Sequence, residues 1–141
     1  MCVIVDADAF SKFKDPENED MKPVWNWLQN KNGKIAYSNT EKIEREWNQA
    51  RMDNIRDELR KAGKIKLVPS QVTQQKENEL KGTITSNDEH IIALALIADV
   101  KVLISGGDAS LIRDFKNRSL VRGKVYLRKQ HEHLLTKDTC P

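Results

Sequence analysis

The stretch from Gly82 to Phe115 constrains the fold most, because it places helix signals on both sides of a short apolar segment. Ser86 and Glu89 form a capping box just before an apolar run, which predicts a helix beginning near Ser86. Val100 to Ile104 is rich in β-branched residues and too short for another helix, which predicts a strand covered on both faces. Helix, strand and helix in immediate succession are typical of an α/β fold.

Two aspartates lie at the starts of the two predicted helices. Asp88 falls in the first turn of the first helix, on the face of Ile91 and Ala95 that is expected to pack into the core. Asp108 is the predicted N-cap of the second helix, which ends near Phe115. A helix that runs back along a parallel sheet begins at the carboxyl edge of the strands. Both carboxylates are therefore expected to face one crevice.

The rest of the chain continues this alternation and is long enough, at 141 residues, for a single core. Further strands are predicted at Cys2–Val5, Ile35–Tyr37, Ile65–Val68 and Val125–Leu127. Helices are predicted from Pro23, from Ser38 or Asn39 to Ala62, over Ser70–Leu80 and over Arg128–Leu135. The pattern predicts one domain over residues 1–141, a three-layer α/β/α sandwich around a mainly parallel sheet.

Four acidic residues are expected at the carboxyl edge of that sheet. Asp6 follows the first strand, and Glu44 lies in the first turn after the second strand, with Glu41 as the alternative; Asp88 and Asp108 complete the set. Each alone has a structural explanation as a turn, first-turn or capping residue. Together they would repel one another unless a cation lay among them. Oxygen ligands favour Mg²⁺ or Mn²⁺, which can activate a water against a phosphodiester.

Four segments resemble, in order, the acidic motifs of PIN-domain nucleases: VIVDADAF, YSNTEKIE, SNDEHIIALAL and VLISGGDASLIRDF. The resemblance spans residues 2–115 and leaves 116–141 as a basic edge strand and tail. It implies a metal-dependent endoribonuclease that hydrolyses single-stranded or loop RNA by metal-activated water. Such proteins are often the toxin of a toxin–antitoxin pair, with a protein antitoxin as partner. The implied metal ligands are Asp6, Glu44, Asp88 and Asp108.

The surroundings of these acids differ from the family pattern in two places. One glycine more than usual precedes Asp108, and Ser110 stands where many members have a further aspartate. Asp8 occupies a position that the family fills with Asn or Asp. The resemblance implies that Asp8, Ser105 and Ser110 hydrogen-bond to the metal ligands instead of binding the ion.

A basic segment begins about one helical turn after Asp108. Its candidates for binding the substrate are Arg113, Lys116, Arg118, Arg122 and Lys124, and Arg128 and Lys129 continue the run. Lys and Arg bind nucleic acid through its phosphates, so this segment is predicted to hold the RNA backbone. The net charge of +3, from 24 basic and 21 acidic residues, does not by itself indicate a partner.

Two alternatives use other chemistry. Asp6-Ala7-Asp8 resembles the nucleophile motif of haloacid-dehalogenase-like phosphatases, with Asp6 as nucleophile and Asp108 and Asp114 as the late acidic motif. That interpretation leaves Glu44 and Asp88 without a role. The second alternative is a PIN-like fold that binds RNA or protein without catalysis.

The histidines His90, His131 and His133 are too scattered for a zinc site, and His90 is predicted to lie on a helix surface. Trp25, Trp27 and Trp47 are predicted to anchor the core or a homodimer interface. A homodimer is therefore a further prediction.

Two cysteines, Cys2 and Cys140, form neither a metal-ligand spacing nor a disulfide framework, which fits a reducing cytoplasm. No apolar run approaches the roughly 18 residues that a membrane span needs, and no signal peptide is indicated. The sequence thus predicts a cytoplasmic protein that does not enter the membrane.

Overall fold

The computed structural model describes residues 2–136, in which five strands alternate with helices. The strands are β1 (Cys2–Val5), β2 (Lys34–Ser38), β3 (Ile65–Val68), β4 (Val102–Ile104) and β5 (Lys124–Tyr126). The α-helices are α1 (Phe10–Phe13), α2 (Lys22–Asn30), α3 (Glu41–Gln49), α4 (Asp53–Lys61), α5 (Ser70–Leu80), α6 (Glu89–Ala98) and α7 (Ala109–Lys116). Short 3-10 helices lie at Ala7–Ala9 and Lys129–Leu134.

The strands form one sheet in the order β3-β2-β1-β4-β5, and every neighbouring pair is parallel. This confirms the predicted α/β/α sandwich with a parallel sheet. All residues of β1 and β4 are buried, which is why both strands are apolar throughout. From β1 the chain moves to β2 on one side, and from β4 to β5 on the other. The carboxyl ends of β1 and β4 therefore flank the topological switch point of the sheet, where α/β proteins bind ligands.

Aromatic side chains fill the core near this edge. Trp27 and Trp47 are buried, and Trp47 packs against Phe10 and Tyr37 with ring centroids 5.1 and 5.5 Å apart. Trp25 is half-buried and stacks on Phe13 at 4.7 Å. The tryptophans thus serve the core as predicted. Because the tryptophans are buried or half-buried, they are not exposed anchors for a homodimer interface. The homodimer stays a prediction.

The predicted long helix from Ser38 or Asn39 to Ala62 is wrong, because the chain breaks it between α3 and α4. Arg51 takes a left-handed conformation with φ 58°, and the Met52 amide donates to the Trp47 carbonyl at 2.8 Å. The Arg51 amide bonds the Asn48 carbonyl at 3.1 Å, which completes a Schellman motif. Burial of Met52 stabilises this ending, and the absence of glycine left it without a sequence signal.

Two smaller predictions also fail. Val72 and Leu80 are the two large apolar residues of α5, and burial of both is expected for such a polar helix; Leu80 is buried together with Thr73 and Glu77, whereas Val72 is 44% exposed. Cys2 is disulfide-bonded, contrary to the expectation from the cysteine pattern; Cys140 lies outside the described residues. The cysteine pattern therefore no longer supports a reducing compartment. A cytoplasmic location stays a prediction. Within residues 2–136 no helix has the length and apolar character needed to cross a membrane.

Candidate metal centre at the carboxyl edge of the sheet

Asp6 lies at the end of β1, inside the switch point. Its amide donates to the Ile104 carbonyl of β4 at 2.9 Å, and its side chain is 4% exposed and accepts the Ala7 amide at 2.8 Å. Burial, a hydrogen bond with Asp8 and the charges of Asp8 and Asp88 raise the pKa of Asp6 from 3.8 to about 8. The Asp6 carboxyl group therefore keeps its proton at neutral pH unless a cation displaces it.

Asp8 ties the end of β1 to the turn after β4. One oxygen of its carboxylate accepts the Gly106 amide at 2.8 Å, and the other accepts the Asp108 amide at 3.1 Å. A Cβ atom on Gly106 would lie 2.5 Å from the Asp8 carbonyl oxygen, and Gly107 has φ +117°. Both glycines are thus required by the turn, which explains the additional glycine. With both oxygens engaged, Asp8 is suited to positioning the turn and not to binding an ion.

Asp108 caps α7, as predicted. Its Oδ1 accepts the Ser110 and Leu111 amides at 3.2 and 3.3 Å and the Ser110 hydroxyl at 2.9 Å. These bonds leave Oδ2 of Asp108 without a donor from the described residues. Ser110 therefore orients Asp108, and Ser105 contributes by accepting the Gly107 amide at 3.1 Å.

Asp88, at the start of α6, lies between Asp108 of the α7 cap and Glu46 of α3. Its side chain accepts no capping hydrogen bond. Burial raises the pKa of Asp88, His90 opposes that rise, and the negative charges of Asp108 and Glu46 add to it; Lys42 has a smaller opposing effect. Asp88 therefore lies close to acids on both α7 and α3, with its oxygens open.

Asp114 of α7 holds the segment that carries Asp88. This buried carboxylate accepts the Thr85 amide at 3.1 Å and the Ser86 amide at 2.7 Å. The Ser86 hydroxyl in turn accepts the Asp88 amide at 3.3 Å. α6 accordingly begins at Glu89, so the predicted capping box with Ser86 as N-cap is wrong.

A histidine and two acids form a group that the sequence reasoning did not identify. Ligand atoms of Glu46, Asp88 and His90 all lie within 4.8 Å of one another, and His90 Nε2 lies 2.5 Å from Glu46 Oε1. His90 is fully buried, so its predicted position on a helix surface is wrong; α3 packs against α6 there. Asp88 belongs to this group and also adjoins Asp6 and Asp108.

The other candidate acids on α3 are not part of this group. Glu41 is exposed and pairs with Arg45 at 3.6 Å, and the charge of Glu44 acts on Tyr37. Glu44 and Glu46 flank opposite sides of the buried stripe of α3. Helical periodicity places both glutamates beside the core, but it does not indicate which side of α3 packs against α6. That ambiguity explains why the sequence pointed to Glu44 and missed Glu46.

The predicted RNA-binding residues are not gathered at this edge. Lys124 pairs with Val102 at the first residue of β4, and its amide donates to the Lys101 carbonyl at 2.8 Å. Arg118 and Arg122 lie in the connection just before it, at the amino edge of the sheet. Lys116 ends α7 on the way to that edge, and Arg113 is exposed within α7. The structure therefore separates most of the predicted basic segment from the acids.

Comparisons of the chain with protein-family models, with curated proteins and with solved structures found no match. The resemblance to PIN-domain nucleases therefore rests on the four sequence segments alone. A protein antitoxin stays a prediction on the same basis.

The donor set fits a divalent cation. Asp88 and Asp108 each have a carboxylate oxygen that no described residue hydrogen-bonds, and Asp6 holds a proton that a cation would replace. Glu46 and His90 adjoin Asp88 on its other side. Carboxylate oxygens are ligands for Mg²⁺ and Mn²⁺, whereas imidazole is a ligand for transition metals.

Proposed function

We propose that this chain is a metal-dependent endoribonuclease, PIN-like in its site, that hydrolyses phosphodiester bonds of single-stranded or loop RNA. The supporting observation is the meeting of Asp6, Asp88, Asp108 and Glu46 at the switch point of a parallel sheet. Their burial and mutual repulsion raise the pKa of both Asp6 and Asp88. Bound Mg²⁺ or Mn²⁺ would supply Lewis acidity toward the phosphodiester and lower the pKa of the attacking water.

The residues around this centre have two roles: some bind the ion, and others position those ligands. Asp6, Asp88 and Asp108 hold the ion, and Glu46 in place of Glu44 completes the set from α3. Asp8 and Ser110 fix Asp108 by hydrogen bonds at 3.1 and 2.9 Å. His90 orients Glu46 through the contact between Nε2 and Oε1. Such supporting bonds determine how well the ligands are arranged for the ion.

Cleavage of labelled RNA in defined metal tests the proposal. A single-stranded RNA, the same RNA in a duplex and a DNA of the same sequence are incubated in chelator, Mg²⁺ and Mn²⁺. Metal-dependent cutting of the single-stranded RNA is expected, with its loss in Asp88→Asn. Glu41→Gln, which removes an exposed acid near the site, is the matched control and should cut normally. Cleavage that persists in chelator or in Asp88→Asn would contradict the proposal, and absence of cleavage by the wild type would favour a binding module.

The phosphatase alternative has less support from the geometry. Both carboxylate oxygens of Asp8 accept backbone amides, which leaves Asp8 poorly placed as a proton donor to a leaving group. Asp114 is buried and bonded to Thr85 and Ser86. Binding of a fluoride–metal mimic of the phosphoryl group to the Asp6 carboxylate, together with phosphate release from small monoesters, would nevertheless establish that chemistry and exclude the nuclease mechanism.

A further inference from the structure

A cleft of about 500 Å³ opens beside the acids, at the carboxyl ends of β4 and β5. Its lining comprises Gly106 and Gly107 from the turn after β4, Leu127, Arg128 and Gln130 from the segment after β5, and Lys12 and Asp20. Gly107 directly precedes Asp108 in the chain. The carboxylate of Asp8 bonds both the Gly106 and the Asp108 amides. One turn therefore contributes both to the cleft and to the candidate metal centre.

The charged lining of the cleft consists of two cations, Lys12 and Arg128, and one acid, Asp20. Asp20 is its acid, and that carboxylate already has partners: the Lys129 amide donates to one oxygen at 3.1 Å, and Lys12 lies 3.6 Å from the other. Arg128 is exposed and makes no ion pair with any residue of the described chain. An exposed guanidinium beside a lysine and an amide is suited to binding a phosphate.

We propose that this lysine–arginine cleft, lined by Lys12, Arg128 and Gln130, binds the backbone phosphate that neighbours the phosphodiester to be cut. The inference rests on the proposed function, because it names where the same single-stranded RNA continues beyond the metal centre. Lys12 follows the first acidic segment, and Arg128 follows β5, so the residues come together only through the fold. Lys12 and Arg128 thus replace Arg118, Arg122 and Lys124, which lie at the amino edge, as the residues expected to bind the RNA backbone.

The test compares two double variants with the same loss of charge. Lys12→Gln/Arg128→Gln removes the cleft cations, and Arg122→Gln/Lys124→Gln removes a similar pair at the amino edge. Binding of a short fluorescein-labelled oligouridine is measured by anisotropy in chelator, where the proposed nuclease does not turn over, over a series of salt concentrations.

The cleft variant should bind about tenfold more weakly or worse. Its slope of log affinity against log salt should fall by about 0.7, since the cleft binds one phosphate and each lost phosphate contact on a single strand removes about 0.7. In Mn²⁺ its KM for cleavage should rise while kcat changes little. The amino-edge variant should match the wild type within about twofold. Arg128→Gln alone, which breaks no ion pair, should show a smaller loss and replaces the double variant if thermal melting shows that the latter is unfolded.

The outcomes separate this inference from the proposed function. If the wild type cleaves RNA but the cleft variant binds and cleaves as well as the wild type, or both double variants weaken equally, the cleft assignment is wrong and the nuclease stands. If the wild type binds RNA without cutting it, and only the cleft variant binds more weakly, the cleft is an RNA-binding site and the nuclease proposal is wrong. A wild type that neither binds nor cuts RNA overturns both.

Discussion

At the scale of single residues, Asp6 is the described acid whose protonation the fold changes most. Below its ordinary pKa of 3.8 both the folded and the unfolded state carry the proton. Between 3.8 and about 8 the unfolded chain releases it while the folded chain keeps it, so the free energy of unfolding falls as the pH rises. The metal-free protein is thus destabilised by Asp6 in the neutral range.

Asp6→Asn should therefore stabilise the metal-free protein. The amide is always neutral, can still accept the Ala7 amide and can donate to Asp8. We expect little difference from the wild type near pH 4 and a gain that grows to several kcal/mol at pH 8, because folding raises the pKa of Asp6 from 3.8 to about 8 and each pKa unit corresponds to about 1.4 kcal/mol. Urea unfolding in chelator at both pH values measures the difference.

Metal should shift this comparison in the opposite direction. With a hundredfold excess of Mn²⁺ over its Kd the wild type gains about 2.7 kcal/mol and the variant gains less. If Asp6 only ended a strand, the substitution would instead cost about 1 kcal/mol at every pH and in every metal concentration. That uniform loss, with cleavage retained, would falsify the site.

Glu46 and Glu44 provide a matched pair on one helix. Glu46→Gln should weaken Mn²⁺ binding by about tenfold or more, since it removes a carboxylate next to Asp88 and His90. Glu44→Gln changes the same charge on the opposite flank of α3 and should leave the affinity unchanged. Isothermal titration calorimetry with Mn²⁺ measures both variants, and an equal effect of the two would refute the assignment of Glu46.

The sequence predicts much of this site at the level of residues, but not all of it. Asp6, Asp88 and Asp108 follow strands or begin helices, and chain direction alone places such positions at one edge. Glu46 and His90 depend on how α3 and α6 face each other, which no local pattern encodes. The contact that brings them within 2.5 Å is long-range, so it appears only with the fold.

At the scale of elements, Asp114 joins α7 to the segment before α6. Burial favours the neutral form of Asp114, but the hydrogen bonds from Ser86 and Thr85 prevail, so the pKa of Asp114 lies below its usual value. A group with a lowered folded pKa contributes stability above its unfolded pKa of 3.8, and this contribution is lost as the pH falls through the folded value.

Asp114→Asn should accordingly destabilise the protein at neutral pH by about 1 to 3 kcal/mol, since one buried amide donor loses a charged acceptor. The deficit should shrink as the pH falls below about 4. Asp99→Asn is the matched control: Asp99 is exposed at the C-cap of α6, and the exchange should change stability by less than about 0.5 kcal/mol. Urea unfolding of both variants across the acidic range measures this, and a deficit independent of pH would contradict the role of the carboxylate.

Element boundaries follow from the sequence where a local signal marks them. Pro23 lies in the first turn of α2, one residue after its start, and Asp108 caps α7 as expected, because proline and aspartate act within the first turn. The end of α3 has no such marker: Arg51 adopts a positive φ without glycine, and the Met52 that follows it is buried in the core, which depends on tertiary packing. The basic connection after α7 follows Asp108 closely in sequence, but α7 carries it to the amino edge of the sheet, so its distance from the acids appears only with the fold.

At the scale of the whole molecule, the acids and most of the predicted basic segment lie at opposite edges of one sheet. The acids converge at the carboxyl edge, whereas Arg118, Arg122 and Lys124 lie at the amino edge, so they offset little of the local repulsion. His90 and Lys42 reduce this repulsion at Asp88 without cancelling it, so protons or bound cations are needed to relieve the rest. The stability of the fold should thus respond to divalent metal and pH together, with metal binding releasing the proton of Asp6.

The dependence of stability on metal concentration then counts the ions. Above the Kd, each bound ion adds about 1.4 kcal/mol to the free energy of unfolding for every tenfold rise in free metal. We expect this slope for a single ion, because Asp8 has both oxygens engaged, Ser110 replaces a further acid, and Asp88 is shared by both groups of ligands. Urea unfolding of the wild type over a series of Mn²⁺ concentrations measures the slope, and Asp88→Asn should show almost none. A slope twice as steep would mean that two ions bind. A flat response in the wild type would mean that the carboxyl edge binds no metal and that protonation alone reduces the repulsion between its acids.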